Sequence, residues 1–216
     1  MLIDYQPPQR PYLDILYQDN DIVVLNKPSG LLSVPGKAAE HHDSLSSRVQ
    51  RVWPDARVVH RLDMATSGLM VMAMHPQAQR ILNRQFSERE IHKRYQAVVA
   101  GRLQAAHGSV SVPLICDWPN RPKQKVCFLS GKKALTNFHR IHHSAIESRV
   151  LLFPVTGRSH QLRVHMQWLG HAILGDKFYR HEHDKPAERL LLHAEWLQLN
   201  HPGSELPIQF FSKCPF

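Results

Sequence analysis

Cysteine is scarce in this 216-residue chain, where Cys116, Cys127 and Cys214 stand far apart and odd in number. That count and spacing offer neither a disulfide framework nor the paired-cysteine knuckle of a structural zinc site, so a reducing cytoplasm is the expected compartment. Long apolar runs are missing as well. No stretch approaches the ~20 consecutive apolar residues that cross a bilayer as a helix. The opening segment MLIDYQPPQRPYLDIL lacks the basic start and apolar middle of a secretory signal. No membrane role is expected. Repeats, low-complexity tracts and long linkers are also absent, which leads us to expect a single domain over residues 1–216. Acidic residues are in deficit: 18 Asp and Glu against 27 Lys and Arg leave a formal charge of +9. A surplus of that size favours nucleic acid as the partner. With 43% hydrophobic residues, the chain still has enough apolar material for an ordinary core.

The signatures of cofactor chemistry fail one by one. In GLLSVPGKA, five residues separate Gly30 from Gly36 where a phosphate loop needs four, and Ala38 stands where its magnesium-binding hydroxyl belongs. The histidine pairs His41-His42, His142-His143 and His181-x-His183 join neither a cysteine pair nor an H-E-x-x-H helix. Ser67 has no G-x-S-x-G elbow around it. Neither a metal nor an organic cofactor is expected.

Periodicity predicts mixed α and β structure. ILYQDNDIVVLNKPSG reads as two short strands around an Asp19-Asn20-Asp21 turn, closed by a Pro-Ser-Gly turn. DSLSSRVQRVWP places Leu45, Val49 and Val52 at helical spacing, with Asp43 or Ser44 as cap and Pro54 as stop. The apolar run Leu69 to Met74 has strand length. HPQAQRILNRQFSERE begins a helix with Pro76 in its first turn. YQAVVAG returns to strand, and SHQLRVHMQWLG is a helix ending at Gly170. The order of elements lacks regular βαβ alternation, so an α+β fold is expected, with a mixed, largely antiparallel sheet core and flanking helices.

Between two strand-like runs lies VVHRLDMATSG, with Asp63 directly before a tight Thr-Ser-Gly turn. Two readings fit this carboxylate. It either caps its own turn, as Asp commonly does, or it is held out for chemistry. The helix at SHQLRVHMQWL bears on the choice. Leu162, His165, Met166 and Leu169 share one face, flanked by Val164 and Trp168, which leaves His160, Arg163 and Gln167 on a polar edge. An Arg on a mostly buried helix needs an anion, because an unpaired buried charge costs several kcal/mol. A surface Glu or solvent would serve, and so would Asp63, which a neighbouring guanidinium would keep ionised and fixed in direction.

HRLDMATSG resembles the signature of the RluA-type RNA pseudouridine synthases, whose catalytic aspartate falls on Asp63. LNKPSGLLSVPG resembles the family's early Lys-Pro-x-Gly segment at Lys27, Pro28 and Gly30. KRY resembles its Lys-x-Tyr element and puts the active-site tyrosine on Tyr95. TGRSHQLRVHMQWLGHAILGD resembles the third motif, whose aspartate-pairing arginine falls on Arg163. RLLLHA resembles a late motif that places apolar Leu192 near the pocket. These segments run from residue 22 to about 200, and PLICDWPNRPKQKVC is similar to a stretch of a small member acting on two RNA classes.

The resemblance implies a pseudouridine synthase fold with its active site in a central cleft. It also implies an isomerase that flips a uridine out of its RNA and re-joins the uracil through carbon five, without cofactor or metal. The implied partners are a hairpin of large-subunit rRNA and the tRNA anticodon stem-loop, with no obligate protein partner and a monomeric state. Asp63 would act as nucleophile or as general base. Because the catalytic-domain pattern already begins at Asp14, no N-terminal RNA-binding appendage is expected. Arg61 either stacks into the space the target base vacates or contacts a phosphate. Arg121, Lys123 and Lys125, in the proline-punctuated DWPNRPKQK, either grip the RNA or form a solvated loop. A silent RNA-binding module and a uracil-releasing nucleosidase are the rival classes.

Overall fold

A computed structural model describes residues 5–216. In chain order it contains β1 (Ile15–Gln18), β2 (Ile22–Lys27), α1 (Leu45–Val52), β3 (Arg57–Val58), β4 (Ser67–Ala73), α2 (Pro76–Glu88), β5 (His92–Ala100), β6 (His107–Val110), β7 (Leu114–Cys116), β8 (Gln124–Val126), β9 (Thr136–His143), β10 (Glu147–Pro154), α3 (Gln161–Trp168), β11 (Leu192–Asn200) and β12 (Pro207–Phe211). The recorded strand pairings are antiparallel. This is the α+β architecture expected from the order of elements. The chain gathers into two compact units. One is built from the residues up to His92 together with Ala194–Cys214, and the other from Lys93–His193 with Pro215–Phe216.

In the first unit the strands lie in the order β1-β2-β4-β11, with β3 paired to β4 and β12 to β11. All seven residues of β4 are buried, because each face of this sheet carries a helix. Leu69, Val71 and Ala73 meet Ile22, Val24 and the α2 residues Ala78 and Leu82. Met70 and Met72, pointing the other way, meet Val23, Leu25 and the α1 residues Leu45 and Val49. A strand covered on both faces must be apolar at successive positions, which is why GLMVMAM shows no alternation. Gly68, the second residue of this strand, has a φ of +113°, and a Cβ there would stand 2.2 Å from the Ala194 carbonyl oxygen. Only glycine permits that approach.

Helix α1 is capped by Ser44, whose hydroxyl accepts from the Ser47 amide at 3.2 Å. Asp43, the other cap candidate, has a different task. Both of its oxygens take the fully buried Arg48 guanidinium, Nε and Nη2 each at 2.7 Å. The hydrogen bonds from Arg48 hold the Asp43 carboxyl below its ordinary pKa. A carboxyl lowered in the folded state contributes stability above its unfolded value of about 4 and loses it as pH falls through the folded value. Unfolding by urea should therefore find Asp43→Asn less stable than the parent at pH 7, with the gap narrowing as pH falls below about 4.

In the second unit the strand order is β5-β10-β9-β6, and β7 and β8 form a separate two-stranded ribbon. Strand β10 alternates, with Ser148, Val150 and Leu152 buried, as one covered face requires. Helix α3 lies against β8 and β9, and its first six residues are all buried. It ends in a Schellman motif as its glycine predicts: Gly170 N–H donates to Gln167 O at 2.8 Å and His171 N–H to Met166 O at 3.0 Å. Among the described residues no helix is long and apolar enough to cross a membrane.

Candidate active site

The antiparallel register of β2 and β4 sets Lys27 opposite Gly68, so the end of one strand meets the segment that leads into the other. That segment contains Asp63, and its main chain is pinned at every carbonyl from Leu62 to Ala65. Ser33 Oγ donates to Leu62 O at 2.7 Å and accepts the Leu62 amide at 3.1 Å. Thr66 N–H donates to Asp63 O at 3.1 Å, so the tight turn is closed by backbone. Met64 O receives Gly30 N–H at 2.8 Å and Lys27 Nζ at 3.1 Å. Ser29 Oγ donates to Ala65 O at 2.7 Å. The clamping segment is anchored in turn, because the Leu45 and Ser46 amides in the first turn of α1 donate to Leu32 O and Ser33 O. These are among the amides a helix cannot satisfy within itself.

Lys27 is fully buried and also donates to Pro28 O at 2.9 Å and Leu31 O at 2.7 Å. Buried ammonium groups persist only with such partners. The sequence motif containing Lys27 thus builds the bed on which the Asp63 turn lies. Asp63 itself is half-buried and Arg61 is exposed. The guanidinium of Arg61 therefore projects from a backbone held through its neighbour Leu62.

In the second unit, Arg163 is buried on α3 and pairs with Asp176. Nε meets Oδ2 at 2.7 Å and Nη2 meets Oδ1 at 2.8 Å, a bidentate fork. Asp176 Oδ1 also accepts the amides of Phe178 at 2.9 Å and Tyr179 at 3.2 Å. Arg163 lies over both of these rings, 5.3 and 5.0 Å from their centroids. The Tyr179 hydroxyl bonds His160 Nδ1 and the Gln124 amide, each at 2.7 Å. Gly175 sets up this arrangement at a φ of +75°, with the Arg189 carbonyl 1.9 Å from where a Cβ would be. The requirement for an anion was legible in the helix pattern, but Asp176 was missed. Its signal was the Gly-Asp pair at the end of the third motif.

Tyr95 is half-buried on β5, opposite Leu152 of β10. Beside it, burial pushes the Lys93 ammonium below its ordinary pKa. Leu192 is buried as the first residue of β11. Arg121, Lys123 and Lys125 all lie on the β7–β8 ribbon. Arg121 is exposed and covers the Trp118 ring at 4.3 Å. Lys125 pairs with Asp117 at 3.1 Å, and the connecting loop is closed by Asp117 N–H donating to Lys123 O at 2.9 Å. The loop is a hydrogen-bonded structure carrying cations rather than a loose charged tail.

Among the described residues, the one grouping with metal-ligand spacing is Asp19, Asp21 and His201. Its geometry is that of a turn brace. His201 Nδ1 accepts the Gly203 and Ser204 amides, which puts the ring proton on Nε2, facing Asp19 at 2.7 Å. His75 repeats the pattern, accepting the Ala78 amide at the start of α2 while Nε2 meets Asp21 at 3.0 Å.

A family model described as RNA pseudouridylate synthase matches residues 21–168. The chain is 58% identical over 215 residues to the dual-specificity RNA pseudouridine synthase RluA of Escherichia coli strain K12, covering 99% of this chain and 98% of that protein. To the protein of the same name from Haemophilus influenzae it is 53% identical over 217 residues, covering 100% and 99%. Among solved structures, human RNA pseudouridylate synthase domain containing 1 superposes with a TM-score of 0.80 at 28% identity, over 98% of this chain and 87% of that one. Human RNA pseudouridylate synthase domain containing 4 gives 0.76 at 25% identity, over 94% and 88%. The chain therefore belongs to the RluA-type RNA pseudouridine synthases.

Proposed function

We propose that this enzyme modifies uridines in two kinds of structured RNA, a hairpin loop of large-subunit (23S) rRNA and the tRNA anticodon stem-loop. Two RNA classes fit the dual specificity named for relatives that match nearly the whole chain. The reaction breaks the bond from uracil N1 to ribose C1′, turns the base and joins C5 to C1′. The C5 proton is lost and N1 gains one. Atoms and oxidation state balance within the nucleoside, so the chemistry asks for acid–base groups and a closed site.

The Asp63 carboxylate acts at the ribose, either adding to C1′ or taking the C2′ proton. Arg163 supplies the cation that balances that charge, and Tyr95 and Leu192 form walls against the uracil. The target base must leave its stack to reach them, and Arg61 fills the space it leaves. Arg121, Lys123 and Lys125 hold the RNA backbone outside. The observation that carries this reading is the fully bonded carbonyl run from Leu62 to Ala65. A carboxylate on such a support keeps its direction when substrate arrives, which positioning catalysis requires. The protein works in the cytoplasm as a monomer, with residues 1–216 as one catalytic domain.

The test is a deletion strain. Carbodiimide treatment followed by reverse transcription should show stops at one rRNA loop uridine and one anticodon-stem-loop uridine in the parent, both lost in the deletion and both restored by the gene. Loss in only one RNA class would refute the dual assignment.

A further inference from the structure

The segment that leaves the β7–β8 ribbon, together with the end of α3, carries large apolar side chains that stand exposed among the described residues. Phe128 is 69% exposed, Leu129 100% and Trp168, at the end of α3, 52%. Phe128 and Trp168 meet edge to face with centroids 6.0 Å apart. Val126 and Val164, close by in sequence on the same two elements, are instead part of an apolar cluster with Leu114 and Tyr179, so the segment packs its inner side chains and holds the outer three in water. Its shape is fixed. Gly131 N–H donates to Cys127 O at 2.9 Å, and Lys132 exchanges two bonds with Leu114, at 2.8 and 3.0 Å. A rigid turn that keeps two aromatic rings and a leucine exposed together marks a binding surface rather than scattered surface apolarity.

Charge decides what binds there. From Arg121 to Lys133 the chain reads RPKQKVCFLSGKK, with five cations in thirteen residues and no carboxylate. Lys132 and Lys133 directly follow the aromatic turn and are exposed. Aromatic faces within a cationic segment are the combination that takes unpaired nucleotides, whose bases stack on rings while their phosphates meet lysine. We propose that Phe128, Leu129 and Trp168 form a stacking station for an unpaired nucleotide of the substrate RNA, outside the catalytic pocket and separate from the target uridine. This rests on the enzyme's action on RNA and not on which uridine it modifies. The station adds affinity and favours RNAs that carry a free base besides the target.

The test uses the full-length enzyme with an unmodified tRNA transcript and, separately, a single-stranded oligouridylate. Trp168→Ala and Phe128→Ser should each raise KM for the transcript roughly tenfold, with kcat at saturating RNA unchanged. They should weaken oligouridylate binding similarly. Trp168→Phe should restore affinity and Trp168→Leu should not, a split that a merely apolar or structural role for the indole would not predict. The slope of log affinity against log salt should stay as in the parent for these variants, whereas Lys132→Ala and Lys133→Ala should each lower it by about one. Parental affinity in both aromatic variants overturns the station. So does a parental dimer, seen by sedimentation, that the variants disperse without changing RNA affinity, since the surface would then serve self-association. Absence of turnover on the transcript refutes the proposed substrate, while the oligouridylate arm still reads the station.

Discussion

Replacing Asp63 by Asn is expected to stop pseudouridine formation, with a loss of about 10⁴-fold or more, while the protein still folds and binds RNA. The geometry explains why these readouts separate. The turn that carries Asp63 is held through backbone carbonyls, by Lys27, Ser29, Gly30, Ser33 and the Thr66 amide, and these contacts do not require a charged residue at position 63. Asn keeps the volume and one carbonyl oxygen but supplies neither a nucleophilic carboxylate nor a base. The assay is release of tritium from C5 of uridine in RNA under single-turnover conditions, because that hydrogen leaves only when C5 bonds to the ribose. Deuterium at ribose C2′ then divides the two roles proposed for the acid. A slowed reaction means that the C2′ proton is taken, and an unchanged rate means addition to C1′. Turnover in Asp63→Asn within tenfold of the parent would remove this residue from the chemistry.

Replacing Asp176 by Asn is expected to produce the largest stability loss, about 3–5 kcal/mol, seen as a fall in Tm of about 10 °C for a chain of this size. Asp176 is fully buried and Arg163 nearly so. An amide can still accept the Phe178 and Tyr179 N–H groups with its oxygen. Its NH₂ would then face one of the guanidinium donors, and a buried cation would lose this bidentate, charged partner. Breaking one side of such a pair costs more than the pair itself contributes. The double variant Arg163→Met with Asp176→Asn should therefore recover part of the lost Tm by removing the stranded charge, although it should be inactive. Additive losses in that cycle would show that the two side chains are energetically independent, against the bidentate geometry.

Elements with a strong local pattern were legible in the sequence. The uninterrupted apolar run of β4 signalled a strand covered on both faces, Pro76 marked the start of α2, and Gly170 marked the end of α3. Where two residues had equal local claims, tertiary contact decided. Asp43 and Ser44 are both good caps, and the matter was settled by Arg48, which draws Asp43 into an ion pair and leaves Ser44 to the helix. That Arg163 needs an anion was predictable, but Asp176 as one such residue was not. Asp176 lies thirteen positions away in a loop whose path depends on Gly175 and the Arg189 carbonyl, and no helical or strand period points across that gap. Trp168 was placed beside the buried face of α3, yet it stands more than half exposed because the helix is covered over its first turns and emerges at its end. The division into two units left no trace in composition. Its boundaries fall at His92–Lys93 and His193–Ala194, inside the strands β5 and β11, where no linker interrupts the pattern. The weight given to Asp63 over an ordinary turn aspartate came from the family motif. The structure adds what the motif serves mechanically, since Lys27, an unusual residue to bury, holds the Asp63 turn from beneath.

That foundation has a consequence for the enzyme's choice of target. A turn with no spare carbonyl has little freedom to adapt its shape, so when protein and nucleic acid meet, the deformation falls on the nucleic acid. Uridines whose surroundings unfold cheaply, in loops and at weak closing pairs, are then favoured over the same letters in a firm duplex. Selection among sites becomes a reading of local RNA compliance as much as of base identity.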